Sequence, residues 1–274
     1  MPGGAWRGWA ALLAESLPSP DGFHNLAQSG AMIGDVWRGQ VPAAIALRPD
    51  VVSIIVGVND TLRRRFDGDV LREQLGASVR TLVATGAVVL TIRLPDPGLM
   101  FGLPGALARP LARRVRAINA AMDDIAARHD TLHFDAAGHE GDHDRRMWSV
   151  DRLHPSERGH RLLAGAYHDL MRGAGLALGP RPGPEPRNPA PTRAAQLRWL
   201  ATKGTGWLVA RSTDLVPALT WLAAVETART LATRALRTTP PPDPTHGTAP
   251  RRRPRGPGQM YTCAGWGRVS SARW

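Results

Sequence analysis

The chain has 274 residues and a formal charge of +12 at pH 7, and it is long enough to bury a sizeable core without covalent staples. Cys263 is its only cysteine, which excludes an internal disulfide and a cysteine-based zinc finger. Fifteen of the 35 basic and four of the 23 acidic residues lie from residue 180 onward. That leaves +1 for residues 1–179, so charge assigns no polyanion partner to the front of the chain.

No run approaches the roughly eighteen apolar residues of a membrane span. Residues 1–14 hold one cation and a short apolar run that Glu15 interrupts, with no convincing cleavage site, so no signal peptide is read. The chain as given reads as cytoplasmic, and export waits on what precedes Met1.

Residues 1–179 alternate short apolar runs with helical patterns, the signature of an α/β domain with a parallel sheet. A helix is predicted over 5–17, stopped by Pro18 and Pro20. Residues 23–27 form a short strand candidate, poor in β-branched residues. A helix over 35–47 carries Pro42, which implies a kink or a late start. The best strand is 51–56 (VVSIIV), β-branched and continuous. A helix over 69–84 ends at Gly86, and a second buried strand covers 87–94. After a Pro/Gly loop to Pro104 come a long helix over 111–128, a short strand over 132–134 and a helix over 156–171. Neither main strand alternates in polarity, so helices should cover both faces of a three-layer α/β/α sandwich. Residues 179–191 (GPRPGPEPRNPAP) read as a stiff linker that does not pack. Two helices follow, over 193–210 and 218–237, with Trp199, Trp207 and Trp221 packing them together or onto the main domain. Residues 240–274 are predicted to be disordered.

Three motifs sit where a parallel sheet collects ligands, beyond the carboxyl ends of its strands. Asn25-Leu26-Ala27-Gln28-Ser29-Gly30 follows the weak strand, and Gly57-Val58-Asn59-Asp60 follows the strongest. Asp151-Arg152-Leu153-His154-Pro155 precedes the last helix of the domain. Pro155 keeps His154 out of the helix, on the loop ahead of it. From the same loop Asp151 can accept the imidazole Nδ1–H and aim Nε2 outward, as a general base requires. An Asn59 amide at a strand end can donate to an oxygen that gains charge, and Gly30 lets a backbone N–H approach it. Each residue alone has an ordinary reading: a turn aspartate, a loop histidine, a helix cap and a turn glycine.

Together, NLAQSG, VGVND and DRLHPSERGH resemble the later blocks of the SGNH hydrolases, the GDSL-type esterases and lipases. The resemblance covers roughly residues 1–172. It implies a flavodoxin-like fold and hydrolysis of small or lipid-like acyl esters, without a metal or other cofactor. It makes His154 the base, Asp151 its orienter, and Gly30 N–H and the Asn59 amide the oxyanion hole. The family's nucleophilic serine lies in a Gly-Asp-Ser block after the first strand, and that block is missing. Gly34-Asp35-Val36 has no hydroxyl, and neither Ser16 nor Ser29 is placed as the nucleophile. The expectation is an N-terminally truncated product or a wrongly chosen start, short of a central strand, weak as a catalyst and poorly stable. The alternative, from another class, is a non-catalytic binding protein that keeps the fold.

A literal His-Glu-x-x-His occurs at His139, Glu140 and His143, but glycines at 138 and 141 favour a solvated loop over a zinc-bearing helix. Arg251, Arg252, Arg253 and Arg255 read as biased composition in a tail, so no nucleic-acid partner is expected; a small-molecule ester is.

Overall fold

A computed structural model describes residues 8–19, 22–139, 144–149, 154–188, 192, 194, 197–198, 201–202 and 215–238. The chain forms two compact units, Met1–Thr233 and Arg234–Trp274. The elements below belong to the first, apart from the last residues of the final helix.

The first unit is α/β. Its described strands, β1 (Val51–Ser53), β2 (Val88–Arg93) and β3 (Leu132–Asp135), form a parallel sheet in the order β1-β2-β3. Helix α5 (Gly68–Val83) connects β1 to β2, and α7 (Gly105–His129) connects β2 to β3. Helices α5 and α7 pack on each other, as expected on one face when two successive crossovers run in one direction with the usual right hand. Helices α1 (Trp9–Ala14) and α8 (Glu157–Gly173) pack on each other and cover the other face. The core contains Leu75, Val79 and Leu82 of α5, Val89 and Leu90 of β2, Ile118 and Met122 of α7, and Tyr167 and Met171 of α8. Tyr167 also donates its hydroxyl to Thr91 O at 2.8 Å, tying α8 to the central strand. Asn119 of α7 ties the end of β2 by accepting from Leu94 N–H at 2.9 Å and donating to Leu94 O at 2.8 Å.

Several expectations need correction. Residues 23–27 form no strand, and Phe23 is exposed. They contain no β-branched side chain to hold them extended. The run 51–56 is a strand only to Ser53, although Ile54 N–H still donates to Leu90 O at 2.9 Å. Val51 and Val52 are half-buried and Ile55 is 38% exposed, whereas residues 89–92 of β2 are fully buried. Among the described strands β1 pairs on one side only, and an edge strand is covered less than a central one.

The segment is helical from 33 to 46: α2 (Ile33–Asp35), a π-helical turn (Val36–Gln40) and α3 (Val41–Ala46) run on without a break. Pro42 sits in the first turn of α3 and lacks a donor, and the widened turn ahead of it, closed by Val41 N–H to Val36 O, absorbs the misfit. Helix α7 starts at Gly105, earlier than predicted, and carries the buried Pro110 near its beginning. The Pro/Gly loop before it contains a short helix, α6 (Pro97–Phe101).

Residues 179–188 also depart from expectation, because they pack. Gly179 N–H donates to Ser16 O at 2.7 Å, Ser16 Oγ donates to Pro180 O at 2.8 Å, and Arg161 donates to Gly183 O at 3.1 Å. Prolines lower the entropy lost on ordering, and their carbonyls remain good acceptors. Helix α9 (Leu215–Thr238) buries Leu222 and Glu226, and Glu226 pairs with Arg113 of α7. Trp221 is 47% exposed and so is not a packing anchor; Trp199 and Trp207 lie outside the described residues, as do 240–274. Among the described residues no helix is long and apolar enough to cross a membrane.

Candidate active site

Because the strands are parallel, the segment after β1 and the segment after β3 leave the sheet from the same, carboxyl edge. The first carries Asn59 and the second leads to His154.

Beyond β1 the chain turns at Gly57, whose φ is +123°. A Cβ there would lie 3.0 Å from Ile118 Cγ2 and 3.1 Å from Leu94 Cδ1, so both conformation and space demand glycine. The turn opens a one-turn helix, α4 (Val58–Thr61), and Asn59 lies within it, past the strand end where it was predicted. Arg114 of α7 holds the back of this turn, donating to the carbonyls of Thr61 (2.9 Å) and Arg63 while lying over the Phe66 ring. Burial lowers the pKa of Arg114 without threatening its charge.

Asn59 Nδ2 donates to Ala31 O at 2.9 Å, next to Gly30, whose φ is +82°. Asp60 accepts from Ile33 N–H at 3.3 and 3.2 Å, and Asp35 accepts from Met32 N–H at 3.0 Å. Three side chains thus hold three successive residues of the glycine loop, and the two sequence blocks form one unit. Asp60 was predicted only as a possible helix cap; its place directly after Asn59, at the end of a buried run, was the signal for more.

Asp60 is 5% exposed, and its pKa is pushed up from 3.8 to about 6 by burial. Asp35 adds to the rise, while the Ile33 N–H and Arg63 oppose it. A carboxyl whose folded pKa is raised binds its proton more tightly in the native state. Its contribution to stability is therefore greatest below about pH 4 and is lost as pH rises through about 6. Two pKa units correspond to roughly 3 kcal/mol. Asp60→Asn is expected to remove that slope, which urea unfolding at pH 4.5 and pH 7.5 would measure.

His154 is exposed, on a loop held at four points. Ser149 N–H donates to His154 O at 2.9 Å, and Trp148 pairs with Pro155 in an antiparallel bridge. Ser156 N–H donates to Met147 O at 2.7 Å, and Ser156 Oγ donates to Arg146 O. Ser156 is also the N-cap of α8, accepting from Gly159 N–H at 3.3 Å. Gly159 faces Met147 O so closely that a Cβ would lie 2.3 Å from it, so only glycine lets the loop sit on the helix. On the same helix, buried His160 accepts from Trp9 N–H at Nδ1 (3.2 Å). Its pKa falls to about 4, first through burial and then through the nearby His154, so it is neutral near pH 7. The start of α1, the first turn of α8 and His154 therefore lie close together. Asp151 lies outside the described residues, as do Glu140 and His143; His139 sits in a bend beside the Phe134 ring rather than on a helix.

Three serines are already engaged: Ser16 Oγ donates to Pro180 O, Ser78 Oγ to Gln74 O and Ser156 Oγ to Arg146 O. A hydroxyl–imidazole–carboxylate relay does occur elsewhere, with Thr91 Oγ1 2.9 Å from His133 Nδ1 and His133 Nε2 3.2 Å from Asp123 Oδ1. Thr91 is 0% exposed and shares its hydroxyl with Thr131, so this relay joins β2, β3 and α7 and meets no substrate.

The class follows from sequence and fold together: the chain belongs to the GDSL-like lipase/acylhydrolase family, whose model matches residues 1–162. Over 154 residues it is 29% identical to an acetylxylan esterase of Geobacillus stearothermophilus, covering 52% of this chain and 68% of that one. Two solved structures resemble it in fold alone. One is a variant of Axe2, an acetyl-xylooligosaccharide esterase from Geobacillus (TM-score 0.48, 20% identity, 63% of this chain and 85% of that chain). The other is the psychrotrophic esterase EstA from Pseudoalteromonas sp. (TM-score 0.47, 19% identity, 61% and 87%).

Proposed function

We propose that the chain is a carboxylic ester hydrolase for small acyl esters, using Gly30 N–H and the Asn59 amide as oxyanion donors and His154 as general base. The observation that carries this is the union of the glycine loop with the Asn59 turn at the sheet's carboxyl edge. An amide nitrogen has two N–H groups. One Asn59 N–H steadies Ala31 O, and the second is the oxyanion donor. The first turn of α8 supports the base, since it fixes the loop that presents His154.

In the reaction, His154 Nε2 takes the proton of an attacking hydroxyl as its oxygen bonds to the ester carbonyl carbon. The carbonyl oxygen becomes an oxyanion between Gly30 N–H and Asn59 Nδ2. Collapse expels the alcohol, which receives the proton from His154. Asp151 accepts the Nδ1–H of His154 and steadies the imidazolium. The residues given contain no Gly-Asp-Ser run, and for them water can supply the attacking hydroxyl. The acetylxylan esterase relative favours acetyl esters of carbohydrate hydroxyls as the natural class.

The test is hydrolysis of 4-nitrophenyl acetate by the 274-residue chain and by His154→Ala. A slow, saturable rate that falls about a hundredfold in the variant is expected. A rate unchanged by His154→Ala would overturn the assignment. Binding of an ester with no hydrolysis above background would favour the non-catalytic alternative.

A further inference from the structure

After α8 the chain reverses at Gly175, and residues 176–188 return along the helix towards its first turn. Side chains hold this strap along its course. At the end of α1, Ser16 exchanges bonds with Gly179 and Pro180, and His168 Nε2 lies 3.0 Å from Gly179 O. Midway, Arg181 grips Asp169 through three contacts of 2.9–3.1 Å. Arg161 then donates Nη1 to Gly183 O at 3.1 Å and Nε to Glu157 at 3.1 Å.

The strap ends in a lock on Glu157. That carboxylate accepts from Arg187 N–H (2.7 Å), Asn188 N–H (3.0 Å), Asn188 Nδ2 (2.8 Å) and Arg161 Nε. These donors hold its pKa down to about 2, against the opposing effect of burial. Glu157 is the first residue of α8 and follows Ser156, the residue that ties the His154 loop to Met147 and Arg146. A displacement of this turn must therefore carry the loop with it.

We propose that the 176–188 strap is a positioning device for His154, acting through Glu157 to fix the first turn of α8. It lies beyond the stretch matched by the family model, residues 1–162. Its functional meaning rests on His154 being the base, but its mechanical claim does not. Glu157→Gln keeps the size and sets an amide NH2 against the strap's donors.

Charge-assisted bonds of this kind make the lock worth at least about tenfold in local opening. Amide exchange, followed by mass spectrometry on the full chain, should rise by that factor in 176–188 and also in 144–149 and 154–156. The NMR titration midpoint of the His154 ring should move as well, and in Asn188→Ala, where the Glu157 charge is kept, neither loss of that charge nor loss of strap structure alone would cause it. Asn188→Ala, which removes one donor, should give the same pattern at smaller amplitude, and it keeps the test open if Glu157→Gln does not fold. Faster exchange confined to 176–188, with the loop and the ring titration unchanged, would overturn the proposal. So would no change in either segment. None of these readouts needs turnover; a failed esterase assignment would show instead as hydrolysis indifferent to His154→Ala.

Discussion

Asn59→Ala is expected to lower the chain's ester hydrolysis by about a hundredfold, with its cooperative unfolding retained. The reasoning is local. In the ground state the ester carbonyl needs little from the amide; when the oxygen becomes anionic, a fixed donor near it gains most. The loss should therefore fall on kcat and leave KM nearly unchanged, as measured with 4-nitrophenyl acetate. The fold should survive because Asp60 and Asp35 still hold Ile33 and Met32 when the bond from Asn59 to Ala31 O is gone. Asn59→Asp should be worse than alanine, since a carboxylate would face Ala31 O and the oxyanion together. A loss expressed only in KM would mean that Asn59 binds substrate and does not stabilise the oxyanion.

Gly57→Ala is expected to be the most damaging conservative change in the domain, at roughly 3–5 kcal/mol, a large share of a typical domain's stability. Two costs combine. The backbone at φ +123° and ψ −25° lies outside the regions open to an L-residue. The new methyl would also press on two buried side chains, Ile118 of α7 and Leu94 just after β2. Relief would require α4 to shift, and with it Asn59. Urea unfolding measures the first effect and hydrolysis by the folded fraction measures the second. By contrast, Gly86→Ala should be milder: its φ is also positive, at +86°, but nothing lies within 4 Å of the added Cβ.

The parts of the fold that were legible in the sequence are those where local and tertiary preferences agree. Helix α5 has Asp67 as its N-cap and Gly86 just beyond it, and β2 is a continuous apolar run with helices over it. Residues 23–27 and the outer half of 51–56 depended on strand neighbours, which composition does not report. Helix α7 begins at Gly105, ahead of the predicted residue 111, and takes in Pro110 at the cost of one i→i−4 bond, which the packing of so long a helix outweighs. The strap was missed for a different reason. Proline and glycine content describes how a segment moves when alone, and it is silent on the carbonyls that Ser16, His168 and Arg161 seek.

The candidate site divides in the same way. Gly30 and Asn59 stood out by order and by their place at element ends, and their loops do meet. Asp60 and Arg114 did not stand out, because an acid after a strand and a base on a helix are commonplace. Their meaning lies in burial and in the backbone groups they hold. Asp151 and the pairing assigned to it lie outside the described residues.

The most direct measurement is a titration of the 274-residue chain with methylphosphonate, a small anion shaped like the tetrahedral intermediate, followed by NMR. One binding midpoint should be reported together by the Gly30 amide, the Asn59 side-chain amide and the His154 ring, and binding should weaken in Asn59→Ala. Separate midpoints, or a response at His154 with none at Gly30 and Asn59, would contradict a shared site.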